Sequence, residues 1–326
     1  MHRTVLTRNN VFKNLSMANP PPISSFVKKP TLITKQKLER EDLKKLFRHE
    51  ITALQIKSFY PAKHAQKIAN ELQQKATDGN IDNWRVITEK GLQASDVFTE
   101  GDYVPYNVAV ATDTVDEYFE GVQKDLRRRR MVTSEMIDDE SNRNNIVDLE
   151  PRLWPLDLLR LELDEVWEDG AGLARSKDDN KRVMGSGLPR IMIGPTRWKK
   201  GFIHTDQYSP LNKMEGLFSG NIYLQVPQNE EADKGHLQIW DLEIFSQLDW
   251  HRYQDILRGL TEQDASLQIK LRKALGEPLN IHVESGDLVM LCVQKPHCAV
   301  GFIDGTRISL QCFLQYREEE RLLIDI

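Results

Sequence analysis

His204 and Asp206 stand two residues apart, and His297 follows far downstream in Pro296-His297-Cys298. Arg307-Ile308-Ser309 begins ten residues beyond it. Two imidazoles and one carboxylate can take one face of a non-haem iron ion and leave its other positions open. A nearby arginine can grip the far carboxylate of a chelating acid through paired, charge-assisted hydrogen bonds. Taken singly, each part is weak. A histidine beside an apolar strand is more often a packed, hydrogen-bonded residue, and Arg307 reads equally well as an edge-strand residue in solvent. Coupling gives the pattern its weight. Residues i and i+2 of a strand point the same way, so His204 with Asp206, and Arg307 with Ser309, each share a face. An arginine on the inner face of a β-core is costly unless it meets an anion.

The elements that must position these residues are partly legible. Glu41 to Glu50 reads as a short helix and Ile51 to Tyr60 as a strand ending at Pro61. Ala62, Ala65, Ile68, Ala69 and Leu72 recur at helical spacing, so Pro61 opens an amphipathic helix. Tyr103, Pro105, Tyr106 and Asn107 precede an apolar, strand-like run that ends near Thr112. Helices are expected at Val115 to Arg130 and at Leu156 to Glu168, the second stopped by Gly170-Ala171-Gly172. Ser176 to Ser186 reads as a loop. From Leu188 the character turns to short strands: Arg190 to Gly194, Asn221 to Val226, Leu237 to Trp240, Leu288 to Cys292 and Arg307 to Tyr316. Leu242 to Leu275 reads as a helical insertion among them. Asp304-Gly305 supplies turn chemistry before Arg307, so a hairpin is expected to bring Arg307 beside His297. Many short strands separated by glycine-bearing turns indicate a sandwich or barrel.

The expected fold class is therefore α+β. A helical part, 39–187, supports a β-core, 188–318, in a single domain spanning 39–326. A disordered tail, 1–38, precedes it. That tail has no acidic residue, and it carries Arg3, Arg8, Lys13, Lys28, Lys29, Lys35 and Lys37. Such a composition suits an organellar transit peptide as well as a disordered segment. The net charge of −5 is spread in mixed sign, and the one basic run, Arg127 to Arg130, lacks aromatic or glycine interleaving. This argues against a nucleic-acid partner. No apolar run is long enough to span a membrane. Cys292, Cys298 and Cys312 lack metal-type spacing and read as reduced, buried thiols. The chain reads as cytoplasmic or organellar rather than secreted.

The joint pattern of His-x-Asp, a distant His and Arg-x-Ser resembles the Fe(II)/2-oxoglutarate-dependent dioxygenases, over roughly Leu188 to Tyr316. The resemblance implies a double-stranded β-helix, or jelly roll. It implies Fe(II) held by His204, Asp206 and His297 as the catalytic centre. It also implies 2-oxoglutarate as co-substrate, its distal carboxylate on Arg307 with Ser309 assisting, and dioxygen as the oxidant. Tyr223 is expected to add a hydrogen bond to that carboxylate. Gly235 to Trp240, Ser285 to Val289 and the long gap from Asp206 to His297 are similar to a small-molecule, natural-product branch that includes aliphatic halogenases. Halogenases replace the carboxylate ligand with Gly or Ala. Asp206 departs from that pattern, which points to hydroxylation, desaturation or oxidative ring closure. Kainoid-forming synthases are a similar group.

The substrate implied is a small molecule. If Arg190 faces inward it can hold a carboxylate, so an amino-acid-derived acid suits the site. Tyr103, Tyr106 and Asn107 are candidate pocket walls. Lys199-Lys200 reads as a solvated turn, and His236 and His282 as surface or packing residues. Three other readings stand beside this one. A cupin would place two histidines close together with a glutamate, a cluster missing here. A non-catalytic jelly-roll binding protein would have no need of all three ligands. An oxygenase acting on a protein side chain fits the same motif.

Overall fold

A computed structural model describes residues 21–79, 82–88, 91–99, 103–137, 153–227 and 235–326. A 3-10 turn, Ile23–Phe26, leads into β1 (Val27–Lys28) and β2 (Leu32–Lys35). Helix α1 (Arg40–Phe47) has Glu41 and Asp42 in its first turn and Lys44 and Lys45 in its last, the polarity its dipole favours. β3 (Ala53–Ile56) precedes α2 (Ala62–Thr77), which starts directly after Pro61. β4 (Asp82–Thr88) and β5 (Gly91–Thr99) form an antiparallel pair. Helices α3 (Tyr106–Ala111), α4 (Val115–Ile137) and α5 (Pro155–Val166) follow, then β6 (Ala171–Leu173). The strand-rich part opens with β7 (Leu188–Ile193), β8 (Glu215–Gln225), β9 (Leu237–Ile239) and β10 (Asp241–Leu242). Short helices α6 (Gln247–Arg252), α7 (Gln254–Leu257) and α8 (Ala265–Leu275) make the insertion. The chain then forms β11 (Leu279–Ile281), β12 (Leu288–Cys292), β13 (His297–Ala299), β14 (Thr306–Arg317) and β15 (Leu322–Asp325).

Among the described residues, the large sheet runs β2-β3-β12-β8-β14-β7-β5-β4, with β15 on β14 and β6 on β15. The small sheet runs β11-β9-β13 and is extended by a bridge from His204 to His297. Counting core segments from β7, with the His204 segment second, the large sheet orders them first, eighth, third, sixth. The small sheet orders them second, seventh, fourth, fifth. Every core pairing is antiparallel. This alternation between two facing sheets is the double-stranded β-helix, or jelly roll, and the class is α+β as expected.

Alternation along each strand divides the large sheet into two faces. One face carries Phe218, Ile222, Leu224, Met290, Leu310, Cys312 and Leu314 against Leu43, Leu46 and Phe47 of α1, Ala65, Ala69 and Leu72 of α2, and Leu156, Leu159 and Leu163 of α5. The other looks across to the small sheet. It holds Arg307, Ser309, Gln311 and Phe313 of β14, Leu217, Asn221 and Tyr223 of β8, and Arg190 and Met192 of β7. A separate core joins the insertion to the start of the described chain: Ile23, Trp240, Leu242, Trp250, Tyr253, Leu257 and Leu271. Cys292, Cys298 and Cys312 are buried thiols outside any disulfide.

Several expectations need correction. Residues 1–20 of the expected tail lie outside the described residues. From Ile23 onward it is folded: β1 pairs with β10, and β2 pairs in parallel with β3. Ile23 is buried, and the Tyr253 hydroxyl donates to Pro21 O. The β-core is not confined to 188–318. β3 lies inside the large sheet between β2 and β12, and β15 pairs with β14. All four residues of β3 are buried, because sheet neighbours flank it and both faces are covered. The apolar run after Asn107 is helix α3, not a strand, and its N-cap position is Pro105. Gly170-Ala171-Gly172 leads into β6 rather than only ending a helix. β13 and β14 are not a hairpin. The chain from Val300 to Gly305 crosses from the small sheet to the large one, packed on residues 194–198 (Thr196 N–H to Phe302 O, 3.0 Å; Gly194 N–H to Gly305 O, 3.0 Å). Turn chemistry at Asp304-Gly305 serves such a crossing as well as a hairpin.

His49 gives the fold a pH dependence. Its side chain is buried, with no partner on Nδ1 and only a 3.4 Å contact from Nε2 to Asn212 O. Burial, then the nearby Lys295 charge, push it down to about 4. The unfolded chain takes up a proton below about 6.5 that the folded chain refuses until about pH 4. Stability is therefore expected to fall as pH drops across that window. The urea midpoint should decrease between pH 7 and pH 5, and His49→Phe should shrink that decrease. An unchanged pH response in the variant would contradict this.

Candidate metal centre

The His204 segment runs alongside β13 because Gly201 permits it. Gly201 has φ +77°, and a Cβ there would stand 2.4 Å from Ala299 O and 2.6 Å from Cys298 Sγ. The His204 N–H donates to His297 O and the His297 N–H to His204 O, both at 3.0 Å. The Asp206 N–H donates to Val293 O at 3.0 Å. Each imidazole is also fixed by the carbonyl two residues before it. His204 Nδ1 lies 2.9 Å from Phe202 O, and His297 Nδ1 lies 2.9 Å from Lys295 O. A carbonyl only accepts, so Nδ1 carries the proton and Nε2 keeps its lone pair. Both Nε2 atoms meet the same carboxylate. His204 Nε2 is 3.7 Å from Asp206 Oδ1, and His297 Nε2 is 3.4 Å from Asp206 Oδ2. The three ligand atoms lie within 4.8 Å of one another, and they are the one such group of three found among the described residues.

The charge states suit a divalent ion. Burial, then His297, push His204 down to about 4, so it is neutral at pH 7. Burial raises the Asp206 carboxyl, but the neighbouring His297, then His204 and Arg190, outweigh it and hold it well below the usual carboxylate range. The neutral imidazole of His204 and the ionised carboxylate of Asp206 are forms that bind metal. Bonds of about 2.0–2.2 Å from one ion can bridge the 3.4 Å and 3.7 Å separations of the carboxylate from the two Nε2 atoms.

A buried ion pair supports the loop before His297. Lys295 is fully buried and pairs with Asp241, with Glu243 at 3.6 Å. The Thr52 hydroxyl donates to the second oxygen of Asp241 at 2.9 Å. The carbonyl that orients His297 thus belongs to a residue tied to β10 and, through Thr52, to the approach to β3.

Arg307 lies on the facing sheet. It is 6 % exposed. Its Nη2 donates to the Tyr223 hydroxyl at 3.2 Å, Nη1 lies 3.8 Å from Met192 Sδ, and Nε has no partner. The guanidinium sits 5.0 Å from the centroid of the Tyr223 ring. Among the described residues no carboxylate pairs with it. Ser309, 1 % exposed, stands between Tyr223 and Arg190 in register. Buried guanidinium donors left unsatisfied are costly, and a ligand carboxylate would satisfy them.

One cavity of about 550 Å³ joins the two ends, and nine of the ten singled-out residues line it: His204, Asp206, His297, Arg307, Ser309, Tyr223, Arg190, Tyr106 and Asn107. Arg190 faces inward and donates from Nη1 to Gln311 Oε1 at 2.5 Å. Tyr103 is not in the wall. It packs edge-on to Tyr118 and donates to Gly187 O at 3.3 Å. His236 and His282 form a ring pair 4.7 Å apart, away from the cluster, and Lys199-Lys200 is an exposed turn. Gln311, Asn221 and Asp325 also line the cavity and were not foreseen. The i, i+2 rule carries Ser309 to Gln311 and Tyr223 to Asn221, so those two were within reach. Nothing in the sequence marked Asp325 or Lys295.

No family model matches the sequence. No curated protein sequence matches it either. Among solved structures it is similar to a Pseudomonas putida prolyl-4-hydroxylase, at 13% identity over 85% of this chain and 99% of that chain, TM-score 0.37. It is similar to the non-haem alpha-ketoglutarate-dependent carbocyclase SnoK from nogalamycin biosynthesis, at 13% identity over 87% of this chain and 90% of that one, TM-score 0.42. It is also similar to HygX from Streptomyces hygroscopicus with nickel and 2-oxoglutarate bound, at 13% identity over 87% of this chain and 89% of that one, TM-score 0.41.

Asp241→Asn removes the hydrogen-bonded partner of the buried Lys295 ammonium and leaves it only Glu243, 3.6 Å away. It should cost about 3–5 kcal/mol of stability, the range for breaking a buried pair from one side, as read by urea unfolding at pH 7. A loss under about 1 kcal/mol would contradict the ion pair described here.

Proposed function

We propose that this protein is an Fe(II)/2-oxoglutarate-dependent oxygenase acting on a small molecule. The observation that carries the reading is a buried Arg307 with no carboxylate partner among the described residues, in the same cavity as a cluster of two imidazoles and one carboxylate. In this reading His204, Asp206 and His297 hold the iron from one face. Arg307 takes the distal carboxylate of 2-oxoglutarate, with the Ser309 and Tyr223 hydroxyls beside it. Iron(II) with 2-oxoglutarate and dioxygen supplies the power to take hydrogen from an unactivated carbon.

The chain's own residues bind, orient and exclude water. Arg190, Tyr106 and Asn107 face the substrate. A cavity of about 550 Å³ lies within the range of small-molecule sites, about 300–1,000 Å³, which favours such a substrate over a protein side chain. Arg190 supports an acid derived from an amino acid or a natural product. Retention of Asp206 supports hydroxylation, desaturation or oxidative ring closure, the kainoid type included, over halogenation. No helix among the described residues is long and apolar enough to cross a membrane.

The test is turnover of 2-oxoglutarate to succinate, with oxygen uptake, in the presence of iron(II). Arg307→Ala should raise the KM for 2-oxoglutarate at least about 30-fold, the equivalent of the lower end of the loss for a buried, hydrogen-bonded charge pair. Asp206→Gly should abolish coupled oxidation. Unchanged kinetics in either variant would overturn the assignment of that residue.

A further inference from the structure

Asp325 is a carboxylate in the cavity wall that the proposed chemistry does not use. It lies on β15, directly opposite Phe313 of β14 in register, and both residues line the cavity. One of its oxygens accepts from Gln315 Nε2. Among the described residues no lysine, arginine or histidine pairs with it. Burial pushes its carboxyl up to about 6. A half-buried anion without a counter-charge is costly, and the surroundings that could offset it lie on the cavity side.

The cavity is polarised along β14. Ser309 pairs with Arg190, and Arg307 lies one step further on the same face. Phe313, four residues from Ser309, pairs with Asp325. At about 3.3 Å per residue this separates the two levels by about 13 Å. Gln311 stands between them and is already engaged by Arg190. Arg307 and Arg190 therefore lie at one level of the cavity, with Arg190 in electrostatic reach of Asp206, and Asp325 lies at the other. Phe313, Tyr106, Met184 and Val97 supply apolar and aromatic wall around the anionic end. A carboxylate beside an aromatic ring suits an organic cation, which gains a charge pair and a ring contact together.

We propose that Asp325 is the recognition site for a protonated amine, so that the cavity takes an amine-bearing small molecule with its ammonium at Asp325 and its body reaching toward His204, Asp206 and His297. Which carbon is oxidised rests on the oxygenase reading; ammonium binding at Asp325 does not.

The experiment is calorimetric titration of the full chain, with and without manganese(II) and 2-oxoglutarate, using 4-phenylbutylamine, 4-phenylbutanol and 4-phenylbutanoate. The wild type should bind the amine at least 10-fold more tightly than the alcohol. Asp325→Asn should erase that preference and leave alcohol affinity within 2-fold, and Asp325→Glu should retain part of it. No preference for the amine in the wild type, or no binding of any of the three, overturns the proposal, and this comparison needs no variant to fold. Loss of the preference in Asp206→Asn instead of Asp325→Asn also overturns it, because the amine would then be sitting on the ligand cluster. An Asp325-dependent preference in a protein that fails to bind manganese(II) would sink the oxygenase reading and leave the amine site standing.

Discussion

The site depends on one short piece of backbone, the reciprocal pair of hydrogen bonds between His204 and His297. This bridge adds the second core segment to the edge of the small sheet. It sets two imidazoles side by side, ring centroids 4.5 Å apart, and leaves Asp206 to close the group. Each supporting feature serves that approach. Gly201 lets the segment lie close to β13. The carbonyls of Phe202 and Lys295 fix which ring nitrogen keeps its lone pair. The ion pair of Lys295 with Asp241 holds the loop that leads into His297. Two imidazoles from distant parts of the chain become neighbours because a backbone ladder joins them, with side-chain packing in support.

The large sheet faces the bridge and has two unlike sides. On β14, Ile308, Leu310, Cys312 and Leu314 turn toward the helices, while Arg307, Ser309, Gln311 and Phe313 turn into the cavity. The helical layer thus provides the apolar burial that holds the sheet, and the inner side is free to carry polar groups. Its charges are ordered, with Arg307 and Arg190 toward one level and Asp325 about 13 Å from the level of Arg190 along the strand. Such an arrangement can both bind an acid co-substrate beside the ion and orient a second molecule lengthwise.

Much of this was legible in the sequence because period-two alternation is a local property. The pairing of His204 with Asp206 and of Arg307 with Ser309 follows from it, and so does the approximate position of most strands after Leu188. The long-range pairings were not legible. Asp304-Gly305 fits a hairpin and a crossing between sheets equally well, and only the partners of β13 and β14 decide between them. β3 gives no sign that it belongs inside the large sheet, since a strand buried on both faces reads like any apolar run. The basic, proline-bearing start looked unfolded because its composition is polar. Its folded part is held by a few contacts, Ile23 in the insertion core and β2 along β3. The short α3 departs from the strand expected there: Val108 and Val110 favour a strand, whereas the turn after Pro105 favours a helix. Asp325 carries no sequence signal, since a lone carboxylate gains meaning only from the cavity it faces.

The most direct measurement is made without oxygen and without substrate. Iron(II) and then 2-oxoglutarate are added to the purified protein, and the visible charge-transfer absorption of the chelate is recorded. The wild type is expected to develop the band, His297→Ala to lack it, and Arg307→Ala to require far more 2-oxoglutarate to reach it. A folded wild type that shows no band with iron and 2-oxoglutarate in excess would contradict the central claim that these three ligands and this arginine form one chelating site.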